Sequence, residues 1–234
     1  SRGLGDVYKR QLNDLSPTAP ARSRLAFDEL LANQLALRLI RQQTKSALPG
    51  RVIAGTGRIT EQLLPLLPFT PTSAQQRVIA EITADQGTPD RMLRLLQGDV
   101  GSGKTFVALM AILTALEAGA QAALLAPTEI LARQHYQGLS KLLKPLGLTP
   151  VLLSGNTKHR ARQEILQGLA DGSCQIAIGT HALLTDEVLF ADLALAVVDE
   201  QHRFGVRQRL VLGQKGKNCD VLVMTATPIP RTLA

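Results

Sequence analysis

The chain has 234 residues, 45% of them hydrophobic and 19% charged, and its 26 Lys plus Arg outnumber its 19 Asp plus Glu for a formal net charge of +7. Those proportions specify one large folded domain, alone or with appendages, and exclude a disordered chain, a collagen-like repeat and a disulfide scaffold. The basic surplus suits a polyanionic partner and ordinary solubility equally well; an aromatic content of 3% argues against modules that stack successive bases, so nucleic-acid contact is expected at the backbone.

Residues 1–20 mix Gly, charge, Pro17 and Pro20 without periodicity and read as a tail. From Arg22 to Leu48, Leu25, Leu30, Leu31, Leu35 and Leu39 recur at helical spacing, which predicts one amphipathic helix ending at Leu48, Pro49 and Gly50. Residues 49–71 carry Pro65, Pro68, Pro71, Gly50, Gly55 and Gly57 and read as a connecting segment over a surface, so 21–71 is expected to be a linker helix plus connector. After residue 71, short apolar runs alternate with helical patterns. Strands are predicted at Met92–Leu96, Ala122–Ala126, Thr149–Leu153, Gln175–Ile178, Leu193–Val198 and Val221–Met224, and helices at Lys104–Glu117, Glu129–Leu143, Lys158–Leu169 and Val206–Leu212. The alternation, with strands apolar on both faces, predicts an α/β fold: a parallel sheet flanked by helices.

The longest mostly apolar stretch, Phe106 to Leu116, is interrupted by Thr114 and closed by Glu117, short of the ~18 residues that suggest a membrane span. No basic segment followed by an apolar core opens the chain. Cys174 and Cys219, each just before a strand, read as small apolar residues, and with the four histidines they form no ligand spacing, so no zinc is expected. A reducing cytoplasm fits these features. The chain starts with Ser1 and stops at Ala234 after an unfinished helical segment, so it is expected to be a piece of a longer product.

The run Gly98, Asp99, Val100, Gly101, Ser102, Gly103, Lys104, Thr105 fits G-x-x-x-x-G-K-[ST] and lies between a predicted strand and a predicted helix. Glycines let the backbone curl so that successive N–H groups converge on phosphates at the helix N-terminus. Lys104 is then placed to neutralise the β- and γ-phosphates, and the Thr105 hydroxyl to hold Mg²⁺. Gly55, Thr56 and Gly57 lack that strand context and read as a turn. A second acidic site is expected at a strand end, and Asp199 and Glu200 follow the strand Leu193–Val198. Asp199 suits a Mg²⁺ ligand and Glu200 a general base for the attacking water.

These residues resemble the DEAH/DExH-box helicases, the acidic motif here reading Asp199, Glu200, Gln201, His202, and they are closer still to the RecG-type branch-migration helicases of bacteria. The resemblance is carried by Phe69 to Gln75, Gly98 to Thr105, Ala126 to Ala132, Gly179 to His181, Val198 to Val206 and Thr225 to Leu233, and it runs from about residue 12 to the end. It implies that 72–234 is the first RecA-like, ATP-binding lobe of a bacterial, cytoplasmic ATP-dependent DNA helicase acting on branched DNA in recombination and repair. A second RecA-like lobe and a DNA-reading wedge domain are implied as partners missing from this chain. Related transcription-repair coupling translocases share the last two stretches, but they are expected to carry Glu where Gln201 stands. A non-catalytic nucleotide- or DNA-binding module is the contrasting class, disfavoured because Lys104 and Glu200 are both present.

By the same resemblance, Gln75 reads the adenine edge, with Gln76 as the adjacent alternative and Phe69 near the base. Thr128, Glu129, Arg133, Thr180 and His181 face the DNA backbone, where hydroxyls and helix N-termini suit phosphate contact without base specificity. Thr128 reads equally well as a plain N-cap for the helix starting at Glu129. Thr225 and Thr227 link the γ-phosphate site to the DNA side, with His202 as a relay. The basic clusters Lys158, Arg160, Arg162 and Arg203, Arg207, Arg209 read as solvated helix faces or as a phosphate-tracking surface.

Overall fold

A computed structural model of the chain describes residues 50–199, 215–216 and 218–226. The tail at 1–20, the helix expected from Arg22 to Leu48 and the helix expected at Val206–Leu212 lie outside the described residues. Six strands form one sheet, β1 (Leu93–Gln97), β2 (Gln121–Leu125), β3 (Val151–Leu153), β4 (Ile176–Gly179), β5 (Leu193–Val198) and β6 (Asp220–Thr225), in the order β1-β6-β5-β2-β4-β3. Every pairing is parallel, as the two-faced apolar runs predict. The central strands β2, β5 and β6 are buried along their whole length.

Alternation along the strands builds two cores. Ala122, Leu124, Leu195, Val197, Leu222 and Met224 face one layer, made by α1 (Arg58–Leu63), α2 (Ser73–Gln86), α3 (Lys104–Glu117) and α4 (Glu129–Leu143). Ala123, Leu125, Ala196, Val198, Val221 and Val223 face the other, made by α5 (His159–Asp171) and the segment carrying Leu183 and Val188. Helix α3 is buried from Phe106 through Leu116, which explains why its sequence is apolar all round rather than striped. It ends where Gly119, at φ 76°, supplies the left-handed residue that turns the chain back to β2.

The connecting segment is more than a strand of chain laid over a surface. Ile53 and Leu63 are buried in the first core, and Ile53 N–H donates to the Gln86 carbonyl at 2.7 Å. Arg51 pairs with Asp192. The N–H groups of Gly57 and Ile59, at the start of α1, both donate to the Glu117 carboxylate at 2.5 Å, so a residue at the end of α3 caps a helix about 60 positions earlier. Helix α2 is absent from the expected helices because its hydrophobic stripe is weak; only Ile82 and Gln86 are buried.

Candidate nucleotide and metal site

Parallel sheets bind ligands beyond the C-terminal ends of their strands, and three adjacent strands here end in site residues. Strand β1 leads into Gly98, β6 ends at Thr225 and β5 leads into Asp199. Gly98 N–H donates to the Thr225 carbonyl at 3.3 Å, tying the start of the loop to β6. At about 4.8 Å per strand, β1 and β5 lie about 10 Å apart with β6 between them, a span that a triphosphate with its metal can bridge.

The loop from Gly98 to Gly103 is shaped by its glycines. Gly101 and Gly103 hold φ of 83° and 82°, and Gly103 enters α3 with no side-chain cap, so the first N–H groups of that helix have no side-chain acceptor. A Cβ on Gly98 would lie 2.6 Å from Ser102 Oγ, and one on Gly103 only 2.4 Å from Gln75 Nε2. Ser102 N–H donates to the Asp99 carbonyl at 3.1 Å and closes the turn; Val100, 89% exposed, is its tip. Lys104 Nζ folds over the loop and donates to the carbonyls of Gly98 at 2.7 Å and Asp99 at 2.8 Å. Thr105 is the next residue of α3.

Gln75, the residue the resemblance assigns to the adenine edge, bonds to its own helix start and to the phosphate loop. Its Oε1 accepts from Thr72 N–H at 2.9 Å while Thr72 Oγ1 accepts from Gln75 N–H, a capping box that starts α2. Its Nε2 donates to the Ser102 carbonyl at 2.9 Å. Reading an adenine edge with both amide atoms requires giving up those bonds. A cleft of about 630 Å³ opens beside it, lined by Phe69, Thr70, Gln76, Ile79, Phe106 and Met110 among others, and Gln76 rather than Gln75 is on its wall. The Phe69 ring stands edge-on to Phe106, centroids 5.3 Å apart.

Asp199 is held by two bonds: its N–H donates to the Leu125 carbonyl, and its Oδ2 lies 2.7 Å from His135 Nε2 on α4. The sequence reading did not single out His135; the available signal is its 3-and-4 spacing with Ala132 and Leu139, which puts it on the buried stripe of α4. Thr105 and Asp199 offer hard oxygen donors only, and the described residues contain no cluster of three or more His, Cys, Asp or Glu able to hold a metal alone. That combination fits Mg²⁺, which binds through one or two protein oxygens plus phosphates and water.

Of the residues expected to face DNA, Thr128 caps α4, its Oγ1 accepting from Leu131 N–H at 3.3 Å. Glu129 accepts from the backbone and side-chain nitrogens of Asn156, pinning the loop after β3 to the start of α4. Arg133 and His181 are exposed. Thr180 departs from expectation: it is 2% exposed, and its buried Oγ1 has no hydrogen-bond partner among the described residues, so its hydroxyl does not face solvent for a phosphate. Thr225 is buried at the end of β6. Glu200, His202 and Thr227, and with them the general base and both coupling residues beyond Thr225, lie outside the described residues.

The pattern of the DEAD/DEAH box helicase family matches residues 72–234. The chain is 52% identical over 223 residues to the ATP-dependent DNA helicase RecG of Pasteurella multocida, covering 93% of this chain and 32% of that protein. It is also 52% identical over 219 residues to RecG of Acidithiobacillus ferridurans, at 94% and 32% coverage. Among solved structures, RecG bound to a three-way DNA junction superposes with a TM-score of 0.73 at 44% identity, over 92% of this chain and 28% of that one. The chain thus spans about a third of the length of the curated relatives it matches. With the family pattern matched over residues 72–234, the chain belongs to the DEAD/DEAH box helicase family.

Proposed function

We propose that the chain is the first RecA-like lobe of a bacterial, cytoplasmic ATP-driven DNA helicase that works on branched DNA, with residues 1–20 as tail, 21–71 as connector and 72–234 as the lobe. The observation that carries the reading is the glycine-entered, uncapped start of α3 with Lys104 folded over it, at the same sheet edge as Asp199. Backbone N–H groups of Gly101, Gly103, Lys104 and Thr105 bind phosphate oxygens, the helix dipole favouring their charge. Lys104 has three donors, two of them on loop carbonyls; moving them to β- and γ-phosphate oxygens exchanges one set of acceptors for a charged one. Thr105 and Asp199 would hold magnesium, which would supply neutralising charge on those oxygens. Glu200 orients and deprotonates the attacking water. The base would lie in the cleft against Phe69, its edge read by Gln75 or by the adjacent Gln76, which is on the cleft wall.

The remaining length of the relatives would supply the wedge domain and the second lobe, whose arginines stabilise the transferred phosphoryl group. The isolated chain is therefore expected to bind nucleotide, hydrolyse it weakly and unwind nothing. An ATPase rate on this chain alone that rises strongly with branched DNA contradicts that division of labour. In a full-length RecG polypeptide carrying this segment, Glu200→Gln is expected to bind ATP normally and lose turnover; unchanged turnover removes Glu200 as the base.

A further inference from the structure

The contact between His135 and Asp199 joins the middle of α4 to the end of β5, 64 positions apart in the chain. Both side chains are 12% exposed, so water competes weakly for the bond, and Nε2 sits 2.7 Å from Oδ2. An ionised carboxylate can only accept, which puts the proton of this bond on Nε2. With Oδ2 engaged and the Asp199 backbone pinned to the Leu125 carbonyl, the carboxylate is held at two points.

We propose that His135 is a positioning residue for the magnesium site: it holds Asp199 through the Nε2 to Oδ2 bond and makes α4 part of that site's support. The inference rests on the reading of Asp199 as a magnesium ligand. A carboxylate left to rotate spends part of its time off the metal, and outer partners of this kind carry about 10- to 100-fold in metal affinity. Glutamine places an amide N–H at nearly the reach of Nε2 and can remake the bond; alanine cannot, and leucine fills the space without a donor.

The test is a Mg²⁺ titration of the binding of a fluorescent non-hydrolysable ATP analogue to the 234-residue chain, so that no turnover is needed. In His135→Ala and His135→Leu the Mg²⁺ midpoint is expected to rise roughly tenfold, with affinity in EDTA unchanged, and His135→Gln to return to within about threefold of the parent. The two donor-free variants differ in packing, so a fold failure in one leaves the other to report. An unchanged midpoint, an equal loss of affinity in EDTA, or a glutamine variant as impaired as leucine overturns the proposal. Asp199→Asn, titrated in parallel, separates the causes: a shift there without one at His135 sinks the positioning role alone, and silence in both sinks the metal assignment with it.

Discussion

Helices α3 and α4 begin at the same edge of the same sheet, one after β1 and the other after β2, and they begin in opposite ways. Helix α3 is entered through left-handed Gly103 with no side-chain cap, whereas α4 is entered through extended Thr128, whose hydroxyl takes up the Leu131 N–H. A helix start has four N–H groups to satisfy. At α4 the protein answers part of that need with its own side chain. At α3 it leaves the need standing and sets a lysine beside it, which is the condition for binding an anion. The lesson is that a helix N-terminus becomes a phosphate site through what the sequence omits as much as through what it supplies.

The largest effect is expected from removing the charge. Lys104→Ala should weaken ATP binding roughly 100-fold, since truncating one member of a charge-assisted pair costs about 2–5 kcal/mol, with little change in melting temperature; isothermal titration checks the affinity and a thermal melt the stability. Gly103→Ala should come next, because a non-glycine residue in the left-handed region costs about 1–2 kcal/mol and its Cβ would press on Gln75 Nε2. Both stability and nucleotide affinity should fall. If Gly103→Ala binds ATP normally, the backbone geometry of the α3 start is not what selects phosphate.

The halves of this contrast were unequally legible in sequence. The open start was readable because its chemistry is contiguous: Gly98 to Thr105 is a local pattern between a strand and a helix, and helix bounds at Lys104–Glu117 and Glu129–Leu143 match those observed. The parallel sheet was readable because its strands are apolar on both faces. What was hidden depends on distant pairs. Nothing in the sequence near His135 names Asp199, nothing near Glu117 names the start of α1, and the Pro-rich connector conceals that Ile53 and Leu63 are core residues. Gln75 was found by its motif, but the bonds it makes to Thr72 and Ser102 follow from a capping box and a loop that meet only in the fold.

The opposite edge of the sheet sharpens the comparison, because helices end there and present carbonyls rather than donors. Asp220 starts β6 at that edge: Met92 N–H satisfies Oδ1 at 2.8 Å, and Oδ2 is buried without a hydrogen-bond partner among the described residues. Burial pushes its carboxyl up to about 7, against the lowering effects of the Met92 bond and Arg91. The folded state therefore holds a proton that the unfolded chain releases near the ordinary value of 3.8, so folding stability should fall as pH rises from about 4 to about 7, by about 1.4 kcal/mol per pH unit at most. Melting curves across that range should show the slope, and Asp220→Asn should remove it; a slope that survives assigns the dependence to other groups.

The smallest effect tests the closed half of the contrast. Thr128→Ala should lower stability by about 1 kcal/mol, the usual cost of losing an N-cap, and leave ATP affinity unchanged because α4 starts over β2 and not over the phosphate loop. Thr128 Oγ1 uses a lone pair to cap, which leaves its O–H proton available to a DNA phosphate. Aspartate caps a helix as well as threonine does but repels a phosphate. Thr128→Asp should therefore keep the parent melting temperature while weakening DNA binding several-fold in a full-length RecG polypeptide carrying this segment. Unchanged DNA affinity in that variant would reduce Thr128 to a cap and leave the exposed Arg133 and His181 as the phosphate contacts of that edge. A loss of ATP affinity would show that the two helix starts are not independent.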